Sequence, residues 1–198
     1  KKIGFIGVGM MGHGIAKNLL LKGFPVTAMA HRNRAPLEDL LQKGAQEATT
    51  AKAIAESADV IILCVTGSPQ VEQCIYGDDG VMAGCHAGAI VIDCSTAEPT
   101  STEKIASDLK EVGVTLVDAP LARTPVEAEE GRLNTMVGAD DAVFEEVKPV
   151  LEAFCENIFH VGGQGAGHKV KLVNNFLAMS QAAMTAEALC ACAATGVD

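Results

Sequence analysis

The stretch Phe5-Ile6-Gly7-Val8-Gly9-Met10-Met11-Gly12 decides the fold of this chain. It places the pattern Gly-x-Gly-x-x-Gly between a short apolar run that predicts a strand and an amphipathic segment that predicts a helix. In that context the pattern is typical of a dinucleotide site. Gly7 permits the tight turn, Gly9 lets the backbone approach a pyrophosphate, and Gly12 lets helix and strand pack closely. The plain alternative is a strand-to-helix turn without a ligand.

The helix that opens at Met10 and Met11 extends this prediction. Its first amides have no partner inside the helix, and the positive end of the helix dipole lies there. Both features favour a bound anion such as the pyrophosphate of a nucleotide. We therefore expect Met10 and Met11 to belong to the cofactor site together with the three glycines.

The rest of the chain alternates between short apolar strands and helical segments. The predicted order, in sequence letters, is KKIGFIG, MGHGIAKNLLLKG, PVTAMA, APLEDLLQKG, DVIILCV, SPQVEQCIY, AIVIDCS, TSTEKIASDLKEVG, VTLVDAP, RLNTMVG, DAVFEEVKPVLEAF and NIFHVG, after which GGQGAG opens a final helix. Near-continuous apolar strands separated by helices predict a mostly parallel sheet with helices on both faces. The predicted fold class is α/β, doubly wound and of the Rossmann type, followed by the start of a long helix.

Capping residues agree with this periodicity. Ser68 is expected to cap a helix that has Pro69 at its first position, and Gly23, Gly44 and Gly113 stand where helices should end. Local signals and periodicity thus divide the chain at the same places.

The composition argues against several classes of function. The chain has 198 residues, of which 48% are hydrophobic and 20% charged, and a formal net charge of -10. That charge opposes a surface for nucleic acid or for anionic lipid, so we expect a small-molecule partner. The sequence shows no secretory pattern at its start, and we expect a cytoplasmic protein.

The seven cysteines are expected to be small core residues. They form no Cys-x-x-Cys pair, and most lie in apolar runs such as IILCV and VIDCS. An odd number of cysteines suits a reducing compartment. We expect neither a disulfide framework nor a metal site.

The apolar stretch after Asn175 is about as long as a membrane span. Gln181 and Glu187 interrupt it, and alanine is its commonest residue. We expect a buried helix there and no membrane span.

The turn after the second strand should select the cofactor. NAD-dependent domains of this kind usually place a carboxylate there for the ribose hydroxyls. This chain has Ala30-His31-Arg32-Asn33-Arg34 and no acidic residue before Glu38. A basic turn suits a 2′-phosphate, so we expect His31, Arg32 and Asn33 to favour NADP(H) over NAD(H). A solvated basic loop is the alternative.

The strand ends supply three more candidates for the cofactor site. Val65 and Thr66 follow one strand and Thr96 follows the next, and ligands bind at the carboxyl ends of strands in such sheets. We expect Thr96 near the nicotinamide. Its alternative role is to start the helix at Thr100 through local capping.

Several motifs, in this order and spacing, resemble those of the β-hydroxyacid dehydrogenases. They are FIGVGMMGHGIAKN, VIDCST, DAP at residues 118–120, EGRLNTMVG and GAGHKVKLVNN, and they run the whole length of the chain. The resemblance implies an NAD(P)-dependent hydride transfer at a short hydroxy acid or the corresponding anionic aldehyde. It also implies an NADP-binding domain over residues 1–165 and an interdomain helix over residues 166–198. That helix is expected to lead to an all-helical domain absent from this chain, and the full-length protein is expected to be a homo-oligomer.

The final helix carries the catalytic candidates. Lys171 and Asn175 are four residues apart, so they share one helix face inside an apolar run. A shared ligand would justify that placement, whereas the alternative is a lysine that snorkels to water. The resemblance implies that Lys171 protonates the substrate oxygen and that Asn175 orients the substrate. The neighbours His168 and Lys169 are expected at the rim, and Asn174 is expected to tie the helix to the sheet.

The loop after the DAP motif departs from the family pattern. Where the family has valine and then Ser-Gly-Gly, this chain reads Leu121-Ala122-Arg123-Thr124-Pro125. The resemblance to the sulfolactaldehyde reductase branch implies that Ala122, Arg123 and Thr124 hold the anion of the substrate, a carboxylate or a sulfonate. Arginine offers several donors to such an anion. The alternative is an ion pair between Arg123 and an acidic residue just downstream: Glu127, Glu129 or Glu130.

The sequence therefore predicts an NADP(H)-dependent oxidoreductase that acts on a small anionic substrate. Two alternatives stay open. One is a domain that binds the cofactor without turnover, and the other is a non-catalytic binding module with a dehydrogenase fold. The presence of Lys171 and the acidic composition favour the enzyme.

Overall fold

Nine strands form one sheet within residues 1–197, the part of the chain that this computed structural model describes. The strands are β1 (Ile3–Ile6), β2 (Val26–Met29), β3 (Gln46–Glu47), β4 (Val60–Leu63), β5 (Ile90–Asp93), β6 (Thr115–Asp118), β7 (Leu121–Ala122), β8 (Leu133–Gly138) and β9 (Cys155–Gly162). Their order is β3-β2-β1-β4-β5-β6-β8-β7, and β9 pairs with β8. The pairings among β1 to β6 are parallel, whereas β8 is antiparallel to β6 and β7. The prediction of a mostly parallel, doubly wound sheet is confirmed.

Helices connect most of these strands. They are α1 (Met10–Leu21), α2 (Ala35–Gln42), α3 (Ala51–Ala55), α4 (Ser68–Tyr76), α5 (Pro99–Glu111), α6 (Pro125–Glu130), α7 (Asp141–Leu151) and α8 (Ala166–Ala194), and a 3-10 turn lies at Val81–Ala83. The long predicted helices all form.

Two hydrophobic cores lie on opposite faces of the sheet. Phe5 of β1 packs in one core with Leu19 of α1. Ile61 of β4 packs in the other core with Ile75 of α4 and Leu109 of α5. Because successive side chains of a strand point to opposite faces, a strand buried on both faces reads as the continuous apolar run seen in the sequence.

The glycines that were expected to end helices do so. Gly23, Gly44 and Gly113 have φ angles of +84°, +99° and +76°, values that favour glycine. The expectation for Ser68 is wrong. Gly67 occupies the N-cap position of α4, and the Ser68 hydroxyl instead accepts a hydrogen bond of 2.8 Å from the Glu98 amide.

Four short elements were not predicted from the sequence: β3, α3, β7 and α6. Two of them are strands of two residues, and the others are helices of five and six residues. Such lengths are too short to show a hydrophobic period. Their pairing partners and caps define them instead.

The cysteines fit the expectation of core residues only in part. Cys94 and Cys155 are buried, but Cys190 and Cys192 are exposed on α8. The difference follows from the position of α8, whose outer turns are uncovered.

The prediction that the apolar stretch after Asn175 forms a helix is confirmed, but the expected burial is wrong for the described chain. Gly167 and His168 are the buried residues of α8, whereas Phe176 is 75% exposed. By length and composition alone α8 could cross a membrane. Helices that are buried inside soluble proteins can have the same length and composition, so these two properties do not distinguish a membrane span from a buried helix.

Candidate active site

The glycine turn after β1 has the geometry expected of a dinucleotide loop. Gly7 has a φ angle of +106°, and a Cβ there would lie 2.2 Å from the Cys64 carbonyl oxygen. A Cβ on Gly12 would lie 2.0 Å from the Gly7 carbonyl oxygen. No atom of the described residues lies within 4 Å of a Cβ built on Gly9, so its backbone faces open space. The fold itself requires the first and third glycines, and the second leaves room that fits a pyrophosphate.

Helix α1 begins beside that space. The first backbone hydrogen bond of α1 is donated by the His13 amide to the Gly9 carbonyl oxygen, at 2.9 Å. The amides of Met10, Met11 and Gly12 precede that bond, and no side chain caps this end among the described residues. Free amides at the positive end of a helix attract an anion.

A cleft of about 770 Å³ opens from the glycine turn. It brings together seven of the predicted cofactor residues: Gly7, Gly9, His31, Arg32, Asn33, Val65 and Thr66. These residues come from the ends of β1, β2 and β4, three neighbouring strands of the sheet. The carboxyl edge of the sheet therefore forms one continuous wall for a ligand.

Four predicted cofactor residues do not line this cleft. The Met10 side chain is 82% exposed, Met11 packs against the core, and Gly12 is buried. Thr96 is exposed after β5. Nor does its side chain cap α5, since Glu98 holds the N-cap position.

The far part of the cleft was missed by sequence reasoning. It is lined by polar side chains from α4 and from the segments near α3: Thr49, Thr50, Gln70, Gln73 and Asp79, together with the Cys74 thiol. The residues of α4 could have been predicted from the sequence, because α4 directly follows β4, whose carboxyl end was already a candidate for the cofactor site. The side chains in this part of the cleft form no recognisable motif.

The basic turn after β2 divides into two parts. Arg34 is engaged, since its guanidinium donates hydrogen bonds of 2.9 Å and 3.1 Å to the Glu47 carboxylate. The Asn33 side-chain oxygen accepts a 3.1 Å hydrogen bond from the Ala35 amide. Arg32 is exposed at the cleft and forms no ion pair with a described residue. Of the two arginines, Arg32 is therefore the one free to meet a ligand.

Lys171 and Asn175 lie on the packed side of α8. Both are partly buried, whereas Leu172, Val173 and Asn174 between them are exposed. Burial lowers the pKa of the Lys171 ammonium group from its ordinary value. A lysine of this kind gives up its proton more readily than one in water.

Three expectations about the neighbours of Lys171 meet different outcomes. Lys169 is exposed, as predicted, and forms a 2.7 Å ion pair with Glu103. The prediction of a rim position for His168 is wrong, because its side chain is fully buried. Asn174 is exposed and does not tie the helix to the sheet. The burial of His168 could not be read from the sequence, because the residues that cover its side chain lie far from it along the chain.

The loop between β7 and α6 places Arg123 in an unusual backbone conformation. Its φ angle is +84°, in the left-handed region that favours glycine. This is the position at which the family resemblance leads one to expect glycine. The Arg123 Nη1 group donates to the Arg132 carbonyl oxygen and to the Glu156 carboxylate. The alternative considered for Arg123, an ion pair with Glu127, Glu129 or Glu130, does not occur among the described residues, where Arg123 pairs with Glu156 instead.

Thr124 and Ala122 serve the local structure of this loop. Thr124 caps α6 in a capping box, in which its amide donates a 2.9 Å hydrogen bond to Glu127 and its hydroxyl contacts the same carboxylate. That carboxylate has a lowered pKa, chiefly because of the Thr124 hydroxyl. Ala122 pairs with Asn134 across β7 and β8.

The doubly wound sheet, the glycine turn and the adjoining cleft define an NAD(P)-binding domain. Residues 2–162 match the family described as the NAD binding domain of 6-phosphogluconate dehydrogenase. With its relatives, this match shows that the chain belongs to the β-hydroxyacid dehydrogenase family.

Three relatives illustrate the likeness. The 2-(hydroxymethyl)glutarate dehydrogenase of Eubacterium barkeri is 41% identical over 188 residues, which cover 95% of this chain and 62% of that protein. The 3-sulfolactaldehyde reductase of Escherichia coli (strain K12) is 35% identical, with 97% of this chain and 64% of that protein covered. The solved structure of Mycobacterium tuberculosis 3-hydroxyisobutyrate dehydrogenase with L-serine has a TM-score of 0.90 and 28% identity, and covers 100% and 66% of the two chains. The chain thus spans 62% to 66% of these proteins.

Proposed function

We propose that the full-length protein is an NADP(H)-dependent oxidoreductase that interconverts a short hydroxy acid and the corresponding anionic aldehyde. The observation that carries the proposal is the partly buried Lys171, with its lowered pKa, on the same side of α8 as Asn175. A charged group that the fold partly buries in an otherwise apolar helix needs a chemical reason to be there.

The chemistry divides between cofactor and protein. A bound nicotinamide supplies or accepts the hydride. The Lys171 ammonium group donates a proton to the carbonyl oxygen of an aldehyde, or removes it from the alcohol in the reverse direction. Asn175, one helical turn further on, orients the substrate. Because reduction needs the protonated lysine, its rate falls as pH rises through the pKa of Lys171, at a lower pH than for an exposed lysine.

The test compares two lysines of the same helical turn, Lys171 and Lys169, in the full-length protein. Lys171→Ala should lower kcat/KM for reduction of short anionic aldehydes by about 10²- to 10⁴-fold, with the Kd for NADPH unchanged. Lys169→Ala removes only a surface ion pair and should leave the rate unchanged. If Lys171→Ala retains full activity, the acid lies elsewhere and the proposal is wrong.

The choice of NADP(H) rests on the turn after β2. His31, Arg32 and Asn33 line the cleft, and the turn offers no carboxylate to ribose hydroxyls. Arg32 has no competing ion pair among the described residues, so its guanidinium is available for a 2′-phosphate.

A second pair of variants tests that choice. Arg32→Ala should raise the Kd for NADPH by about tenfold or more, equivalent to ~1.4 kcal/mol, while the Kd for NADH stays constant. Arg34→Ala is the matched control, because Arg34 is held by Glu47. Equal effects of Arg32→Ala on both cofactors would contradict a role in phosphate recognition.

Arg123 is the candidate for the substrate anion. Both of its partners sit on Nη1, so the edge formed by Nε and Nη2 is left for a ligand within the described structure. That edge can hold a carboxylate or a sulfonate through two parallel hydrogen bonds. Thr124 and Ala122 contribute less in this conformation, since both donors of Thr124 face Glu127.

The uncovered face of α8 supports a proposal about organisation. We assign residues 1–165 to the cofactor domain and residues 166–198 to a helix that leads into a further helical domain. Large apolar side chains such as Phe176, Met179 and Met184 are exposed on α8, and a covering domain or a second subunit would remove them from water. A cytoplasmic homo-oligomer fits this arrangement. Residues 1–198 alone would bind the cofactor without turnover.

A further inference from the structure

Helix α8 is attached to the rest of the described chain through its first turns. Gly167 and His168 are its buried residues, and beyond Lys171 and Asn175 nearly all of its side chains are exposed. The direction and rotation of the helix are therefore set close to its start. Lys171 lies three residues after His168, almost one turn along the same side.

The His168 side chain is held by two elements of the sheet domain. Its Nδ1 atom lies 2.7 Å from the Thr102 hydroxyl of α5, and its Nε2 atom lies 3.1 Å from the Ser95 carbonyl oxygen after β5. The Asp93 carboxylate at the end of β5 lies 4.0 Å from Nε2. The ring is completely buried, so each of these contacts fixes it.

Both ring nitrogens have polar partners inside the fold. A carbonyl oxygen only accepts, so Nε2 donates to Ser95. The Thr102 hydroxyl lies 2.7 Å from Nδ1 and also donates to the Glu98 carbonyl oxygen at 3.2 Å. The imidazole is therefore satisfied by residues of the sheet domain.

The backbone of the same turn is held by a buried carboxylate. Asp118 of β6 accepts hydrogen bonds from the Gly165 amide at 2.6 Å and from the His168 amide at 2.8 Å. It therefore caps α8 from a different part of the chain. A Cβ on Gly167 would lie 2.3 Å from the Met136 carbonyl oxygen, so the helix backbone is pressed against β8.

We propose that His168 is a positioning residue for Lys171. Its buried ring, with the Asp118 cap, fixes the first turn of α8 and with it the partly buried position of Lys171 on the packed side of the helix. The proposal rests on the proposed function of Lys171 as the acid. It adds that this acid is tuned by a residue that touches neither substrate nor cofactor.

The test uses the full-length protein and reads out the pH dependence of reduction. His168→Ala should lower kcat by about 10- to 100-fold, since a displacement of about 1 Å can cost 10²-fold, with the Kd for NADPH unchanged. A looser turn exposes Lys171 and raises its pKa. Because the protonated lysine is the active form, the alkaline fall in kcat/KM should move to higher pH. The charged groups near this turn are Asp93, Asp118, Glu103 and Lys169, and all are retained.

Two conservative variants guard against misfolding. His168→Gln can still donate to Ser95 and should restore part of kcat and of the pH profile. Thr102→Val keeps the volume of Thr102 but removes the hydrogen bond to Nδ1, and should shift the profile in the same direction as His168→Ala. Lys169→Ala, on the exposed side of the same turn, should change neither.

The outcomes separate the two proposals. If the His168 variants lose only thermal stability, while kcat and the pH profile of the folded protein stay as in the wild type, the positioning role is wrong. If Lys171→Ala is itself fully active, the proposed function fails, whatever His168 does.

Discussion

Gly9 and Gly12 stand in one turn, yet their surroundings require glycine for different reasons. A Cβ on Gly12 would collide with the Gly7 carbonyl oxygen, whereas a Cβ on Gly9 would meet only open space. The fold therefore requires glycine at position 12, whereas a bound ligand would require it at position 9. Measurements of stability and of cofactor affinity can separate the two requirements.

Gly12→Ala should lower the free energy of unfolding by roughly 1 to 3 kcal/mol, because the backbone must move to admit the methyl group. Gly9→Ala should leave that free energy unchanged and raise the Kd for NADPH by about tenfold or more. Gly163→Ala, also in open space but away from the cleft, serves as the control. Normal cofactor affinity in Gly9→Ala would show that the pyrophosphate does not approach this residue. The measurements are denaturant unfolding and fluorescence titration.

At this scale the sequence predicts what is local. The roles of Gly7, Gly9 and Gly12 follow from a motif with fixed spacing, and the turn after β2 can be read in the same way. The burial of His168 cannot, because its partners Ser95, Thr102 and Asp118 come from distant segments that only the folded sheet brings together.

At the scale of elements, the loop between β7 and α6 combines backbone strain at Arg123 with a proposed role in substrate binding. Arg123 adopts a φ angle of +84° that a non-glycine residue reaches only at a cost of about 1 to 2 kcal/mol. Backbone strain of this kind is concentrated at functional sites. The arginine therefore needs a compensating role, and the proposed grip on the substrate anion supplies one.

Two replacements of Arg123 separate the cost of its backbone conformation from its proposed contact with the substrate anion. Arg123→Ala and Arg123→Gly both remove the guanidinium, so both should raise KM for a carboxylate- or sulfonate-bearing aldehyde by about tenfold or more. Only glycine relieves the backbone, so Arg123→Gly should be about 1 kcal/mol more stable than Arg123→Ala. Steady-state kinetics and thermal unfolding provide the two readouts. An unchanged KM in both variants would rule out the role in substrate binding.

Sequence patterns predicted the long elements and missed the short ones. The sheet strands and helices such as α1 and α5 carry a clear hydrophobic period. Elements such as β7 and α6 are defined by a strand pairing and by the capping box of Thr124, neither of which a period reveals. The ion pair of Arg123 with Glu156 was missed for the same reason, since β9 approaches the loop only in the fold.

For the whole molecule, the doubly wound sheet was predictable because each central strand is buried on both faces. The position of α8 was not, since an apolar helix reads the same in sequence whether residues 1–197 cover it or leave it exposed. Its composition indicates a buried element, and the described chain buries only its first turns. Seven residues predicted for the cofactor thus line one cleft, whereas the exposure of the helix that carries Lys171 was not predicted.

Because α8 is held to the described chain near its first turns alone, a small rotation there moves its far end over a large distance. A helix of 29 residues is about 43 Å long at 1.5 Å per residue. A tilt of about 10° at the anchored end would therefore carry the far end through roughly 7 Å, while Lys171, close to the pivot, would move by only about 1 Å. Substitutions around Asp118 and His168 that tilt the helix would therefore displace its distal turns much further than Lys171, although a movement of about 1 Å already matters for proton transfer at Lys171.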